Sequence, residues 1–576
     1  MMDNFFIDQA EKRAEYLQLI LDSDSRKKII VAGPGTGKTY TFKQVFLNTG
    51  STNNLALTFI RKLVNDMDDD FGDLAEVKTF HAFCKKLLHE KEGGFELFPF
   101  LEQLIEEDSD LLGFSYSNFS NHFQLLNEDS QQISFYITRG NYYNAVSFND
   151  SVYRVLKISE TDPDFIPKYD QIVIDEFQDF NPLEVSFINL LEKNNKVLIT
   201  GDDDQAVYAL RNSSSEHIRD KYYSGDYDKF ELPFCSRCPK VVVDATSSFI
   251  KSVIDCGGLQ SRINRKFYPY LEGNESVNSR YPKIVTAEIS TISVMGNFIK
   301  AAIEKIPDDE IQEANEEGNP CVLIVGKRQY LNPIYKKLSK NFSNLIYSPS
   351  EEINYTLLDA YKVIIRKPES NIGWRIIASI MLDQDELESV IERSRDFTPM
   401  INLLPADIVN LNVSILELLK SESLDLDILN DKIEGINEDF NPIINYFYPP
   451  EAEDELEDES APDNSEPLIM FTSFEGCKGL SASHVFIVGL NKGIVPKVNE
   501  VEGVSDIEYS KFIVAMTRTR KLLYLLSNRY DYNPRKGRNY VSPFINLIPN
   551  VLKTPIEYIK SSKIMDFLNH INENLS

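Results

Sequence analysis

The segment Lys28 to Thr39, KIIVAGPGTGKT, constrains this chain's fold more than any other. A short apolar run, Lys28 to Ala32, has the length and character of a buried strand. It enters a loop with glycine at 33, 35 and 37, and a helix-compatible stretch follows Lys38-Thr39. Glycine lets backbone N–H groups close around phosphate oxygens with no Cβ in the way. The N-terminus of the next helix adds partial positive charge at the same place. The order matches G-x-x-x-x-G-K-[ST], with Ala32 in the first glycine's position. Gly33, Pro34, Gly35, Thr36 and Gly37 are then the phosphate cradle. Lys38 reaches the β- and γ-phosphates, and Thr39 holds Mg²⁺. ATP with Mg²⁺ is the expected cofactor.

A second signal strengthens the first. Residues 172–179 read Ile-Val-Ile-Asp-Glu-Phe-Gln-Asp, an apolar strand ending in paired carboxylates. A P-loop enzyme needs acids there: Asp175 to hold Mg²⁺ and Glu176 to orient and deprotonate the attacking water. Further short apolar runs stand at 55–59, 171–174, 196–200, 322–325, 484–488 and 522–526, with helical stretches between most of them. Strands alternating with helices predict parallel sheets covered on both faces. These runs are too many and too far apart for one sheet, so two α/β lobes are expected. Residues 85–165 and 376–448 lack strong strand signals and are rich in apolar residues and acids, which predicts helical insertions. Residues 450–467 carry acids, serine and three prolines and predict a solvated loop.

Charge bears on what the chain can touch. Among 576 residues the net charge is −29, and Glu451 to Glu459 alone holds seven carboxylates. Phosphate contacts need Lys and Arg, so any nucleic-acid path must be a locally basic track within an acidic shell. Six scattered cysteines do not make a disulfide scaffold, and neither a signal peptide nor a membrane span is evident, so a cytoplasmic protein without a membrane partner is expected. Cys235-x-x-Cys238 would be half a zinc site, but no second pair stands at a useful spacing. The stretch Arg529 to Tyr540 interleaves cations with tyrosines and reads equally as a nucleic-acid contact or a solvated loop.

Asp175-Glu176-Phe177-Gln178-Asp179 is followed one strand later by Gly201-Asp202-Asp203-Asp204-Gln205-Ala206-Val207-Tyr208. This pair resembles motifs II and III of the UvrD/Rep/PcrA-like superfamily 1 DNA helicases. Leu57 to Lys62, Thr79 to Phe83, Ser473 to Leu480 and Val514 to Arg520 are similar to that family's motifs Ia, Ib, V and VI. The resemblance implies two RecA-like P-loop NTPase lobes with ATP between them. The first lobe would use 1–84 and 166–275, with the helical insertion at 85–165. The second would use 280–375 and 467–576, with a reduced regulatory insertion and acidic loop at 376–466. By resemblance Gln205 senses the γ-phosphate, Arg237 and Arg518 meet it from the facing lobe, and Thr58, Phe59, Arg61, Thr79, His81 and Tyr208 line a single-strand track. The implied activity is ATP-dependent translocation on single-stranded DNA, or unwinding of DNA with a single-stranded tail, in the 3′ to 5′ direction.

The chain departs from the family in places. Cys235-Ser236-Arg237 stands where Asn-Tyr-Arg is usual, so the adenine-stacking tyrosine is missing, with Phe234 a candidate to replace it. Glu475 and Ser481 replace a His and a Glu, and Leu210 replaces an aromatic. Gln9 and Gln18 both remain candidates for the family's N-terminal glutamine. A second function stands beside the first: a nucleotide-switched ATPase subunit of a larger assembly, with a protein partner such as a nuclease. In this reading the chain resembles compact UvrD-like proteins that stand beside nucleases in anti-phage defence, of the Gabija type.

Overall fold

The computed structural model describes residues 2–59, 61–128, 130–208, 211–349, 354–421, 424–436, 438–449, 466–499, 503–532 and 537–575. The acidic run Glu451 to Glu459 and Leu210 lie outside these residues. In chain order the strands are β1 (Lys27–Ala32), β2 (Asn54–Thr58), β3 (Glu76–Thr79), β4 (Glu96–Leu97), β5 (Ala145–Val146), β6 (Gln171–Ile174), β7 (Val197–Gly201), β8 (Asp228–Leu232), β9 (Phe234–Cys235), β10 (Tyr268–Pro269), β11 (Val285–Thr291), β12 (Val322–Val325), β13 (Leu345–Tyr347), β14 (Ile469–Thr472), β15 (Ala482–Ile487), β16 (Thr519–Tyr530) and β17 (Glu557–Ile559).

Two parallel sheets form, ordered β3-β2-β6-β7-β1-β8 and β13-β14-β12-β15-β16-β11-β17. Their central strands are buried on both faces and therefore read as continuous apolar runs. The helix Lys38–Thr49 covers the first sheet with Phe42, Val45 and Phe46, on one face at helical spacing. In that sheet β7 lies between β6 and β1, with Ile174 opposite Ile199 and Val31 opposite Gly201. The segments that follow β1, β6 and β7 therefore leave the same edge of the sheet. In open parallel sheets that carboxyl edge is where ligands bind.

Packing redraws two expected boundaries. Helices Leu357–Arg366 and Asn371–Met381, expected within the second lobe up to residue 375, share one hydrophobic core with the helices of 85–165 and with the first sheet. A buried ionic node secures the junction. The Asp108 carboxylate accepts from Arg139 Nε at 2.8 Å and from Arg375 Nε at 2.8 Å, and also from Tyr143. The second change concerns helix Lys240–Asp255, expected in the first lobe. It buries Val242, Val243, Ala245 and Phe249 against Val485, Ile487 and Phe512 of the second lobe. The region 85–165 is mostly helical, and β4 and β5 form a two-residue parallel pair within it. Among the described residues no helix is long and apolar enough to cross a membrane.

Burial pushes the Asp108 carboxyl upward, but Arg139 and Arg375 outweigh it and hold it below its ordinary value of 3.8. A carboxylate held low contributes stability above that ordinary value, and the contribution is lost as pH falls through the depressed one. Asp108→Ala strands two buried guanidinium groups. We expect it to cost about 3–5 kcal/mol, read as a lowered urea midpoint at pH 7. The deficit should narrow in acid below pH ~4, where the wild-type carboxylate is itself being protonated.

Candidate active site

The loop after β1 is closed by its own residues and by the chain that faces it. Thr36 Oγ1 donates to the Gly33 carbonyl at 2.9 Å, and Ser236 N–H donates to the Gly35 carbonyl at 2.9 Å. Gly35 and Gly37 have φ of 67° and 88°, in the left-handed region. A Cβ at Gly35 would lie 2.4 Å from Arg237 Cβ, and one at Gly37 would lie 2.9 Å from Arg13 Nη2. Glycine is thus required by the close approach of arginines as well as by backbone conformation. Gly37 caps the helix Lys38–Thr49 without any side-chain acceptor, leaving its first-turn N–H groups for an anion. Thr39 sits half-buried in that first turn.

Lys38 Nζ lies 2.5 Å from Glu176 Oε1 and 3.2 Å from Asp175 Oδ1. Burial alone would lower this lysine, but the two carboxylates raise it. Glu176 has φ of 53°, uncommon for a residue with a Cβ. Burial pushes its carboxyl up, yet Lys38 and Lys478 win and hold it far below the usual range. Asp175 accepts from Thr200 Oγ1 at 2.6 Å, and burial pushes it upward against Lys38. A buried carboxylate beside the first turn of the P-loop helix suits a hard divalent cation, and Asp175 and the Thr39 hydroxyl are oxygen donors of the kind such a cation takes.

The second lobe reaches this cluster with one lysine and one arginine. Lys478 follows β14, and its Nζ contacts Asp179 Oδ2 at 2.6 Å, the Gln205 carbonyl at 2.9 Å and Glu176 Oε2 at 3.2 Å. Arg518 Nη2 donates to Gln205 Oε1 at 3.2 Å, while Gln205 Nε2 donates to Asp202 Oδ2 at 2.6 Å. Gln205 is therefore held from both sides. Burial and the nearby Arg518 lower Arg237 to about 10. Asp202, Asp203 and Asp204 face one another closely enough to suggest a cation site. Each is instead claimed by an arginine: Arg265 on Asp202, Arg219 on Asp203 and Arg262 on Asp204. Cys235 and Cys238 are buried and free, with Cys238 Sγ donating to the Thr517 carbonyl.

An aromatic cluster forms around Phe59. Phe59 is 5.8 Å from Tyr208 and 6.1 Å from His81, ring centre to ring centre, and His81 is 5.5 Å from the exposed Phe148. Arg211 sits over Phe59 at 4.3 Å, and Lys478 sits over Tyr208 at 5.7 Å. Other residues expected on the track are placed differently. Thr58 is wholly buried at the end of β2, because its side chain turns into the sheet's packing, and it does not line an open surface. Thr79 accepts from Ala82 N–H and caps the helix Phe80–Glu92. His81 Nε2 is 3.1 Å from Glu184 Oε1, but neither atom completes a hydrogen bond. Arg61 opens the helix Arg61–Phe71, and its side chain lies outside the described residues. Arg529 is occupied by Glu288 and the ring of Tyr558.

Beside the P-loop, Arg13, Leu17, Tyr40, Leu232 and Tyr270 line a cavity of about 350 Å³. Of the two glutamine candidates, Gln18 bonds Asp22 at the surface. Gln9 spends both ends of its amide on the backbone of Pro269 and Leu271, so it shapes this wall. Lys478, Arg13, Arg211, Arg262 and Arg265 had no role assigned from sequence. Lys478 stood inside a recognised motif, whereas the arginines had only their charge to mark them.

An AAA domain family matches residues 18–211. A probable DNA helicase II homolog of Mycoplasma genitalium is 22% identical over 95% of this chain and 90% of its own length. A second probable DNA helicase II homolog, from Mycoplasma capricolum, is 22% identical over 90% of this chain and 84% of its own. An ATP-dependent DNA helicase PcrA of Leuconostoc citreum is 21% identical over 93% of this chain and 84% of its own.

Lys478 neutralises buried carboxylates from across the cleft. Lys478→Met should cost about 3–5 kcal/mol, seen as a lowered thermal midpoint. Because the bridged residues sit on opposite lobes, hydrogen exchange should rise around 176–179 and 205 while the sheet cores stay protected.

Proposed function

We propose that this chain, homologous over most of its length to the UvrD-like superfamily 1 DNA helicases, is an ATP-driven motor on single-stranded DNA. The observation that carries this reading is the segment 202–208. Gln205 is bonded to Asp202 and to Arg518 of the facing lobe, and Tyr208, three residues on, stands in the aromatic cluster with Phe59. One short segment thus spans the nucleotide cleft and the candidate strand path.

The nucleotide's phosphates enter the loop 33–37, where first-turn N–H groups and Lys38 receive them. Thr39 and Asp175 would hold Mg²⁺, which when bound would neutralise phosphate charge. A phosphate arriving at Lys38 competes for the ammonium that now pairs with Glu176. Release of that pair frees Glu176 Oε1 to accept a proton from the attacking water. Arg518 and Arg237 face the charge that develops on the γ-phosphate, a role worth roughly 10³-fold or more in phosphoryl transfer. Arg518 comes from the second lobe, so hydrolysis depends on lobe closure. Phe59, Tyr208, His81 and Phe148 offer ring faces to bases, at about 1–3 kcal/mol per stacked base. Stacking accepts every sequence, as a motor requires. Arg211, over the ring of Phe59, supplies cationic charge beside these rings. Polarity of 3′ to 5′ follows from the family resemblance.

Hydrolysis should rise when single-stranded DNA is added at low salt, and Lys38→Ala should abolish it with an unchanged circular dichroism spectrum. An active basal rate that DNA leaves unmoved would remove the coupling through 202–208. Duplexes with a 3′ tail should be unwound and those with a 5′ tail should not. Glu176→Gln should still bind ATP while turning over at least 10²-fold more slowly; loss of binding itself would take the base role from Glu176.

A further inference from the structure

Arg265 lies in the segment between the lobes and is buried, 8% exposed. Its Nε and Nη2 grip Asp202 at 2.9 and 2.7 Å, and Nη2 also lies 3.3 Å from Asp204. Its remaining nitrogen, Nη1, is buried and has no hydrogen-bond partner. A buried N–H without an acceptor costs about 1–3 kcal/mol. The bidentate grip fixes the plane of the guanidinium, so the direction of Nη1 is set by the fork and not by a mobile stem. That direction leads to the P-loop. A Cβ built on Gly33 would stand 3.0 Å from Nη1 and 2.8 Å from the ring of Phe267, and Arg265 lies over that same ring at 5.2 Å. Glycine at 33 therefore leaves room for an arginine edge beside the phosphate cradle.

The other edge of the same guanidinium leads to the centre of the cleft. Asp202 Oδ2, gripped by Arg265, also accepts from Gln205, and Gln205 accepts from Arg518. A bonded chain runs from Arg265, whose Nη1 edge lies beside Gly33, through Asp202 and Gln205 to Arg518 of the second lobe. We propose that Arg265 is a further arginine of the nucleotide site, whose free Nη1 donates to a terminal phosphate oxygen of a nucleoside triphosphate and, through Asp202, sets the position of Gln205. The inference rests on the nucleotide reading above and extends it to a residue outside the recognised motifs. A diphosphate lacks the acceptor, so Arg265 discriminates between the two nucleotides.

The test is calorimetric titration of the full-length chain with ATPγS and with ADP, each with Mg²⁺, for wild type, Arg265→Lys and Arg265→Met. Lysine keeps the charge beside Asp202 but cannot present a third fixed nitrogen. The expected result for Arg265→Lys is a roughly tenfold fall in the preference for ATPγS over ADP, with ADP affinity and thermal midpoint close to wild type. Arg265→Met should lose at least as much, and should it fail to fold, Arg265→Lys decides alone. An unchanged preference in Arg265→Lys overturns the proposal. Equal weakening of both nucleotides with a lowered midpoint also overturns it, and leaves Arg265 as a structural partner of Asp202. Wild type that binds neither nucleotide would bring down the nucleotide reading and this inference together.

Discussion

Six carboxylates crowd the carboxyl edge of the first sheet, and the cleft is organised around the cations that neutralise them. Asp175, Glu176, Asp179, Asp202, Asp203 and Asp204 are all buried. Unpaired charges in such a place would cost several kcal/mol each. Lys38 and Arg219 answer from the first lobe, Lys478 from the second, and Arg262 and Arg265 from the segment that joins them. Because the balancing charges come from three parts of the chain, the sheet edge cannot be neutral unless those parts are assembled. Lys478 is the one of these five cations that the second lobe supplies, so docking of that lobe contributes directly to balancing Asp179 and Glu176.

This arrangement also gives a nucleotide mechanical leverage. Lys38 is shared between Asp175 and Glu176, so polyphosphate entering the loop withdraws a cation from a balanced cluster. The imbalance is felt by Lys478, which shares Glu176, and by the carbonyl of Gln205, which Lys478 also holds. Gln205 is one turn of chain from Tyr208, whose hydroxyl donates to the Glu475 carbonyl of the second lobe. A change in pairing at the phosphates can thus be carried to the ring faces without any long-range deformation of the sheets. Two cations, Arg211 and Lys478, stand over the rings of Phe59 and Tyr208 in a protein whose net charge is −29.

The helical parts serve a different end. Asp108 joins the helices of 85–165 to those of 357–381, so two segments more than 200 residues apart make one body on the first lobe. That body carries Phe148, whose exposed ring meets His81 at the edge of the aromatic cluster.

The local pieces were legible in the sequence, because each depends on neighbours in the chain. A glycine loop between strand and helix, paired acids after an apolar strand, and strand runs at 171–174 and 322–325 are short-range facts, and the strands stand at those residues. The pairings across the cleft were not legible. Helices Leu357–Arg366 and Lys240–Asp255 carry apolar faces that fit any core, and only tertiary packing decided which lobe each one covers. Thr58 was legible as a motif residue but not as a buried one, since which face of a central strand is open depends on what packs over it. Arg265 illustrates the limit most clearly. Its charge is visible in the sequence, but its worth lies in having two nitrogens taken and one left free beside Gly33, a geometry that exists only when three distant segments meet.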